Sequence, residues 1–246
     1  MESEPRAAIN LSQRHTFRIA TEYHYVSSIP NSAHSLLVLA LHGYGMNATT
    51  MMDLTAPVFG DFAAIASIQA PNQFYLQQGL SNSKVGFNWG TRELGSSSIA
   101  LHHEMVRQVA AEMRERTQLG RERTLLLGFS QPVGFNYRFG SAFPGEVGGI
   151  VGICGGVPKD WETGNYGSVD ASILHIARDE DEFFPASVTA DYARKLRVRA
   201  ADVEFHCLPG GHRFPSKGTA VIRPWLERVF GVTFSGGGLP SITAPL

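Results

Sequence analysis

Three residues with complementary chemistry occur in order along this chain, each just after an apolar run. Ser130 lies in Gly128-Phe129-Ser130-Gln131-Pro132, directly after Thr124-Leu125-Leu126-Leu127. An acidic loop, Asp179-Glu180-Asp181-Glu182, follows Ile173-Leu174-His175-Ile176-Ala177. His212 ends the glycine-rich segment Pro209-Gly210-Gly211-His212, beyond the run Val203–Leu208. A serine hydroxyl is a weak nucleophile, so an imidazole must take its proton during attack. A carboxylate must then hold that imidazole in one tautomer and stabilise the imidazolium that forms. A G-x-S-x-G segment at a strand end turns sharply and lifts the hydroxyl above the carboxyl edge of a sheet. Here Pro132 stands where that pattern has its last glycine.

Acyl transfer also needs donors for a developing oxyanion. The run Leu36–Leu41 ends in His42-Gly43-Tyr44-Gly45, whose small residues let backbone N–H groups point at a reacting carbonyl. The expected pair is the amide of Gln131, the residue after the serine, and the amide of Tyr44. His206 is a rival base, but it sits inside a predicted strand and cannot swing to a serine at the sheet edge. Four carboxylates compete for the role of acid: Asp179, Glu180, Asp181 and Glu182. Most of these charges read as a solvated loop face.

The elements that must position these groups alternate between strand and helix. Apolar runs at 36–42, 64–69, 124–129, 148–154, 171–177 and 202–208 read as buried strands. Helices are expected at 97–118, closed by Gly120, and at 187–199. A last helical region, 216–231, contains Pro224, which should kink it or begin a second helix. Phe17, Ile19, Thr21, Tyr23 and Tyr25 alternate as in a half-buried antiparallel edge strand. The expected class is α/β, a mainly parallel sheet with an antiparallel N-terminal edge strand and helices on both faces. Ligands of such sheets bind at the carboxyl ends of the strands, where all the candidate residues fall. The expected organisation is a single domain over 1–234 and a Gly/Ser/Pro-rich tail over 235–246.

Composition narrows the field. The formal net charge is −1, with 21 Lys+Arg against 22 Asp+Glu, and no basic patch suited to nucleic acid. No apolar run is long enough for a membrane span. The N-terminus begins acidic and lacks an apolar stretch, which argues against a signal peptide, and the two cysteines, read as reduced thiols, fit a cytoplasmic location. Cys154 and Cys207 both fall in predicted strands with a third strand between them, too far apart to bridge, so two buried thiols are expected. The histidines lack metal-ligand spacing; the adjacent His102 and His103 would point to different faces of a helix.

These motifs together resemble the phospholipase/carboxylesterase family of α/β-hydrolases, which includes acyl-protein thioesterases and small bacterial carboxylesterases. The matching segments are Leu41-His42-Gly43-Tyr44-Gly45, Ala70-Pro71, Gly128-Phe129-Ser130-Gln131, Asp181 four residues before Pro185, and Gly210-Gly211-His212. The resemblance implies an α/β-hydrolase fold and cleavage of small-molecule carboxylic esters or thioesters through an acyl-enzyme, with no cofactor and no metal. Among the four carboxylates it selects Asp181. Three positions depart from the family pattern: Pro132 for glycine, Met46-Asn47 where an aspartate is usual, and Ala177-Arg178 in the acid loop. A binding protein on the same scaffold is the alternative, since fold does not determine turnover.

The long segment 72–98 holds Phe74, Tyr75, Phe87 and Trp89, and in the family this region walls the acyl pocket. Trp89, flanked by Gly86 and Gly90, is the candidate substrate contact; the alternative is that it closes the edge of the core. Met46, with Met51 and Met52, either lines an acyl channel or packs in the core. Phe184 is the third pocket candidate. Pro132 is expected at the second position of a helix capped by Ser130, where its missing N–H removes no helix hydrogen bond.

Overall fold

In the computed structural model the described residues are 15–17, 19–32, 34–77, 84–215 and 219–234. Strands Leu36–Leu41 (β2), Ala63–Ile68 (β3), Thr124–Phe129 (β6) and Gly149–Ile153 (β7) are buried at every position, which is why their sequences run apolar without polar alternation. With Tyr25–Ser28 (β1), Ser172–Arg178 (β8) and Val203–Leu208 (β9) they form a seven-stranded sheet of order β1-β3-β2-β6-β7-β8-β9. Every pairing is parallel except β1 on β3.

Side chains alternate between the two faces with the period of two that a strand imposes. Leu37, Leu39 and Leu41 share one core with Met105 and Val106 of Gly95–Thr117 (α2), Tyr137 and Phe139 of Val133–Ala142 (α3), and Leu196 of Tyr192–Arg197 (α5). Leu36, Val38 and Ala40 pack on the other face against Met51 and Phe59 of Ala48–Phe59 (α1) and Ile222, Trp225 and Leu226 of Thr219–Phe230 (α6). The chain leaves β2 for β3 on one side and returns to β6 on the other. The carboxyl ends of β2 and β6 therefore flank a topological switch point, the usual crevice for a ligand.

Several elements differ from the sequence-based expectation. The edge strand is antiparallel, but it begins only at Tyr25; Phe17 and Ile19 are exposed and unpaired. Its partner β3 ends at Ile68, opposite Tyr25, and one further bond from Gln69 N to His24 O completes the ladder, so residues 19–23 run past the end of the sheet. Within 72–98 lies a two-stranded antiparallel hairpin, Asn72–Tyr75 (β4) and Val85–Asn88 (β5). Helix α2 closes at Gln118 in the left-handed conformation, not at Gly120. The expected 187–199 helix is divided into Ala186–Thr189 (α4) and α5. Helix α6 continues through Pro224. Both cysteines are free and β8 separates their segments, but Cys207 is exposed because β9 is the sheet's outer strand. Cys154 is buried one residue beyond β7, at φ 47°. The 235–246 tail lies outside the described residues. No helix among the described residues is long and apolar enough to cross a membrane.

Candidate active site

Strand β6 and helix α3 meet in a sharp turn at Ser130. Its φ is +65°, in the left-handed region that a residue with a β-carbon rarely adopts. The turn is held on both sides: Ser130 N donates to Ile153 O at 2.8 Å, and Val133 N donates to Ser130 O at 3.2 Å. Pro132 is the capping residue of α3, two positions earlier in the helix frame than expected, with φ −73° and ψ −11°. These angles suit the ring, and Pro132 O accepts the Asn136 amide at 2.8 Å, so the helix starts without distortion.

The serine hydroxyl lies 2.8 Å from His212 Nε2, and His212 Nδ1 lies 2.8 Å from Asp181 Oδ2. Nδ1 donates to the carboxylate, which leaves Nε2 with a lone pair for the serine hydroxyl. The second carboxylate oxygen, Oδ1, accepts the amides of Phe183 and Phe184, each at 2.9 Å. Burial alone would raise the Asp181 carboxyl. The bonds from His212, Phe184 and Phe183 outweigh it and hold the group below its ordinary value, so it stays ionised.

The acidic loop is also the scaffold of the histidine loop. Asp179 Oδ1 accepts Gly210 N at 2.7 Å, Glu180 N donates to Gly210 O at 3.1 Å, and Glu182 Oε2 accepts His212 N at 3.1 Å. Asp179 and Glu182 are therefore not merely a solvated face: they tie two loops together. Beneath them the buried Arg178 guanidinium lies against Gly210. A β-carbon there would sit 2.2 Å from Arg178 Nη2 and displace the guanidinium, and at φ +115° the backbone conformation itself favours glycine. His206 stays on β9, bonded to Glu204 at 2.7 Å, and does not reach this group.

On the other side of Ser130 the loop after β2 carries Tyr44. Among the described residues the amides of Tyr44 and Gln131 have no backbone acceptor, so both are available to a ligand. A cleft of about 340 Å³ opens here, lined by Tyr44, Ser130, Gln131, Phe183, Phe184 and His212. A slightly larger cleft, about 370 Å³, lies between residues 21–25 and α2, but among the described residues no serine or cysteine lines it.

The sequence profile of the family described as Phospholipase/Carboxylesterase matches residues 22–229. The chain belongs to this family of α/β-hydrolases. Solved structures agree on the fold. The chain is similar to esterase PE8 (22% identity, TM-score 0.68, covering 85% of this chain and all of that one). It is also similar to the Bacillus cereus carboxylesterase (16% identity, TM-score 0.67, 85% and 95% covered). The carboxylesterase from Mesorhizobium loti aligns at 20% identity and TM-score 0.66, with 83% and 94% covered. No functionally curated protein matches the chain.

Two of the expected pocket residues of this phospholipase/carboxylesterase family member lie elsewhere. Trp89 does not stand over the serine: it is fully buried, and its indole Nε1 donates to His42 O at 2.8 Å. Burial of an indole is favoured where its N–H finds an acceptor, and His42 O supplies one here. Met46 packs partly buried against the core beside α1 and does not line the cleft. Phe184 does line it, together with Phe183, which sequence reasoning passed over. Phe183 is 68% exposed and meets the His212 ring edge-on at a centroid distance of 4.8 Å. The signal available for it was an apolar pair placed directly after an acidic loop.

One group of metal-ligating types comes together among the described residues. Cys154, Asp181 and His212 have ligand atoms within 4.8 Å of one another. Nδ1 and Oδ2 already bond to each other, and burial, with the Asp181 charge beside it, pushes the Cys154 thiol up to about 12. A metal there would have to displace the thiol proton and the Asp181–His212 bond together.

Proposed function

We propose that the protein is a serine carboxylesterase that works through an acyl-enzyme, with Ser130 as nucleophile, His212 as general base and acid, and Asp181 as the carboxylate that holds His212. The observation that carries this reading is the continuous hydrogen-bonded series Ser130 Oγ, His212 Nε2, His212 Nδ1 and Asp181 Oδ2, with 2.8 Å at both contacts. Ser130 Oγ attacks the acyl carbon as its proton passes to Nε2. Asp181, held ionised, stabilises the imidazolium. The Tyr44 and Gln131 amides receive the negative charge that develops on the carbonyl oxygen. His212 returns the proton to the leaving alcohol or thiol, and water repeats the sequence on the acyl-enzyme. Thioesters fit the same steps, because His212 meets the leaving oxygen or sulfur only as a proton donor.

The cleft sets the chemical character of the substrate. Among the described residues no carboxylate, lysine or arginine side chain lines it, and its walls are Tyr44, Phe183 and Phe184. Uncharged esters of small or moderate size are the matching class. Ser130→Ala tests the reading: turnover of a short-chain aryl ester should fall about 10⁴-fold or more. Turnover near the wild-type rate would remove Ser130 from the mechanism.

A further inference from the structure

The two proposed oxyanion donors lie on segments far apart in sequence, and one stretch of chain joins them. Trp89 N donates to Gln131 Oε1 at 2.9 Å, and Gln131 Nε2 donates to Gly90 O at 3.0 Å. The Gln131 side chain is thus latched at both ends to the backbone of residues 89–90. Trp89 also reaches the other segment, through the 2.8 Å bond from its indole to His42 O. Just before it, strand β5 bonds the Tyr44 loop twice: Gly45 N donates to Phe87 O at 2.9 Å, and Phe87 N donates to Met46 O at 3.2 Å. The approach is close enough to need glycine at 86, where a β-carbon would lie 2.8 Å from Gly45 O.

His42 extends the same assembly. The Ala70 amide donates to its Nε2 at 3.0 Å, which requires a lone pair there and puts the proton on Nδ1. Nδ1 then donates to Gly43 O at 2.9 Å. In a trans peptide the carbonyl and the following N–H point in opposite directions, so fixing Gly43 O also fixes the direction of the Tyr44 N–H.

We propose that Trp89 and the Gln131 side chain are positioning residues: together with β5 they form a brace that sets the distance and direction of the Tyr44 and Gln131 amides toward the oxyanion. The inference rests on the reading of those two amides as donors. It also accounts for Pro132. A proline biases the preceding residue away from helical angles; here that residue is Gln131, and its side chain is held by two hydrogen bonds that resist such drift.

The test is Gln131→Met, which keeps the length of the side chain and removes both bonds, and Trp89→Phe, which removes the indole N–H. Each variant is assayed for kcat and KM on an aryl ester and for Ki with an aryl trifluoromethyl ketone, whose adduct with serine carries an oxyanion. Loss of a whole donor costs about 10²–10³ in rate; a misaimed donor should cost about 10–100-fold in kcat, with KM nearly unchanged and Ki raised by the same factor. A merely structural role predicts no such parallel. Unchanged kcat and Ki in a variant with wild-type thermal stability would overturn the proposal, as would a fall in kcat without a rise in Ki. Should Gln131→Met fail to fold, Gln131→Glu keeps the acceptor for Trp89 N and loses the donor to Gly90 O. An intermediate loss there supports the brace, and wild-type kinetics overturns it. Fluorophosphonate labelling of Ser130 in the parent tests the nucleophile separately, so failure of the brace and failure of the triad are distinguishable.

Discussion

Replacing Asp181 by asparagine distinguishes the acid from its neighbours, and the hydrogen bonds around it give the size of the effect. The native carboxylate accepts three bonds, one from His212 Nδ1 and two from the Phe183 and Phe184 amides. An asparagine has one acceptor oxygen. If that oxygen serves the two amides, the NH₂ group faces Nδ1, which must then become the acceptor. The ring proton moves to Nε2, opposite the serine hydroxyl, and His212 can no longer act as a base. If the amide flips, the tautomer survives, but two partly buried N–H groups lose their acceptor at about 1–3 kcal/mol each. The productive orientation is thus disfavoured by about 2–6 kcal/mol, or roughly 30-fold to 10⁴-fold in its population. Loss of kcat/KM on an aryl ester should fall in that range. Among the described residues the exposed Asp179 side chain accepts only Gly210 N, a bond that an asparagine oxygen also makes, so Asp179→Asn should cost less than about tenfold. A larger loss from Asp179→Asn than from Asp181→Asn would refute the assignment of the acid.

Pro132→Gly should change kcat/KM by less than about tenfold, because Pro132 caps α3 at angles its ring favours and leaves the Ser130 turn intact; a gain of about a hundredfold would show a spoiled oxyanion site. Ser130→Gly should be more stable to urea than Ser130→Ala by roughly 1 kcal/mol, since only glycine adopts φ +65° without strain; equal midpoints would contradict the strained turn. His42 and His175 are held neutral by burial, with pKa values pushed down to about 4 and about 3. The unfolded chain, with imidazoles near about 6.5, takes up protons first, so stability should fall as pH drops from about 6.5 towards 4, by roughly 3 kcal/mol for His42 alone. A urea midpoint that is flat over that window would argue against neutral buried imidazoles. Asp181, whose carboxyl is held low, adds stability that is lost only below its unfolded value, as pH falls through the acid range. Prolonged treatment with EDTA should leave esterase activity intact, because every proposed step uses protein groups; loss on chelation and recovery with a divalent ion would point to a metallohydrolase.

The strands were legible because their burial on both faces leaves uninterrupted apolar runs, and the candidate residues were legible because each follows such a run. Parallel pairing then brings those strand ends to one edge. Position relative to a neighbour was not legible. The alternation from Phe17 to Tyr25 reads as one strand, but how far it pairs depends on where β3 stops. Trp89 flanked by glycines reads as a ring standing over the site or closing the edge of the core, and its burial follows from an acceptor, His42 O, that lies 47 positions away. The loop carboxylates Asp179 and Glu182 look solvated in sequence, because the amides they accept belong to a different loop. Phe183 was missed for the same reason: its partner, His212, is a contact across the fold.

The central claim is that Ser130 is an activated nucleophile. The most direct measurement is incubation of the protein with a fluorophosphonate, followed by peptide mapping of the adduct by mass spectrometry. The account predicts stoichiometric phosphonylation at Ser130, slowed while an excess of aryl ester is present and absent from Ser130→Ala. A folded protein that stays unlabelled, or that is labelled at another residue, would contradict it.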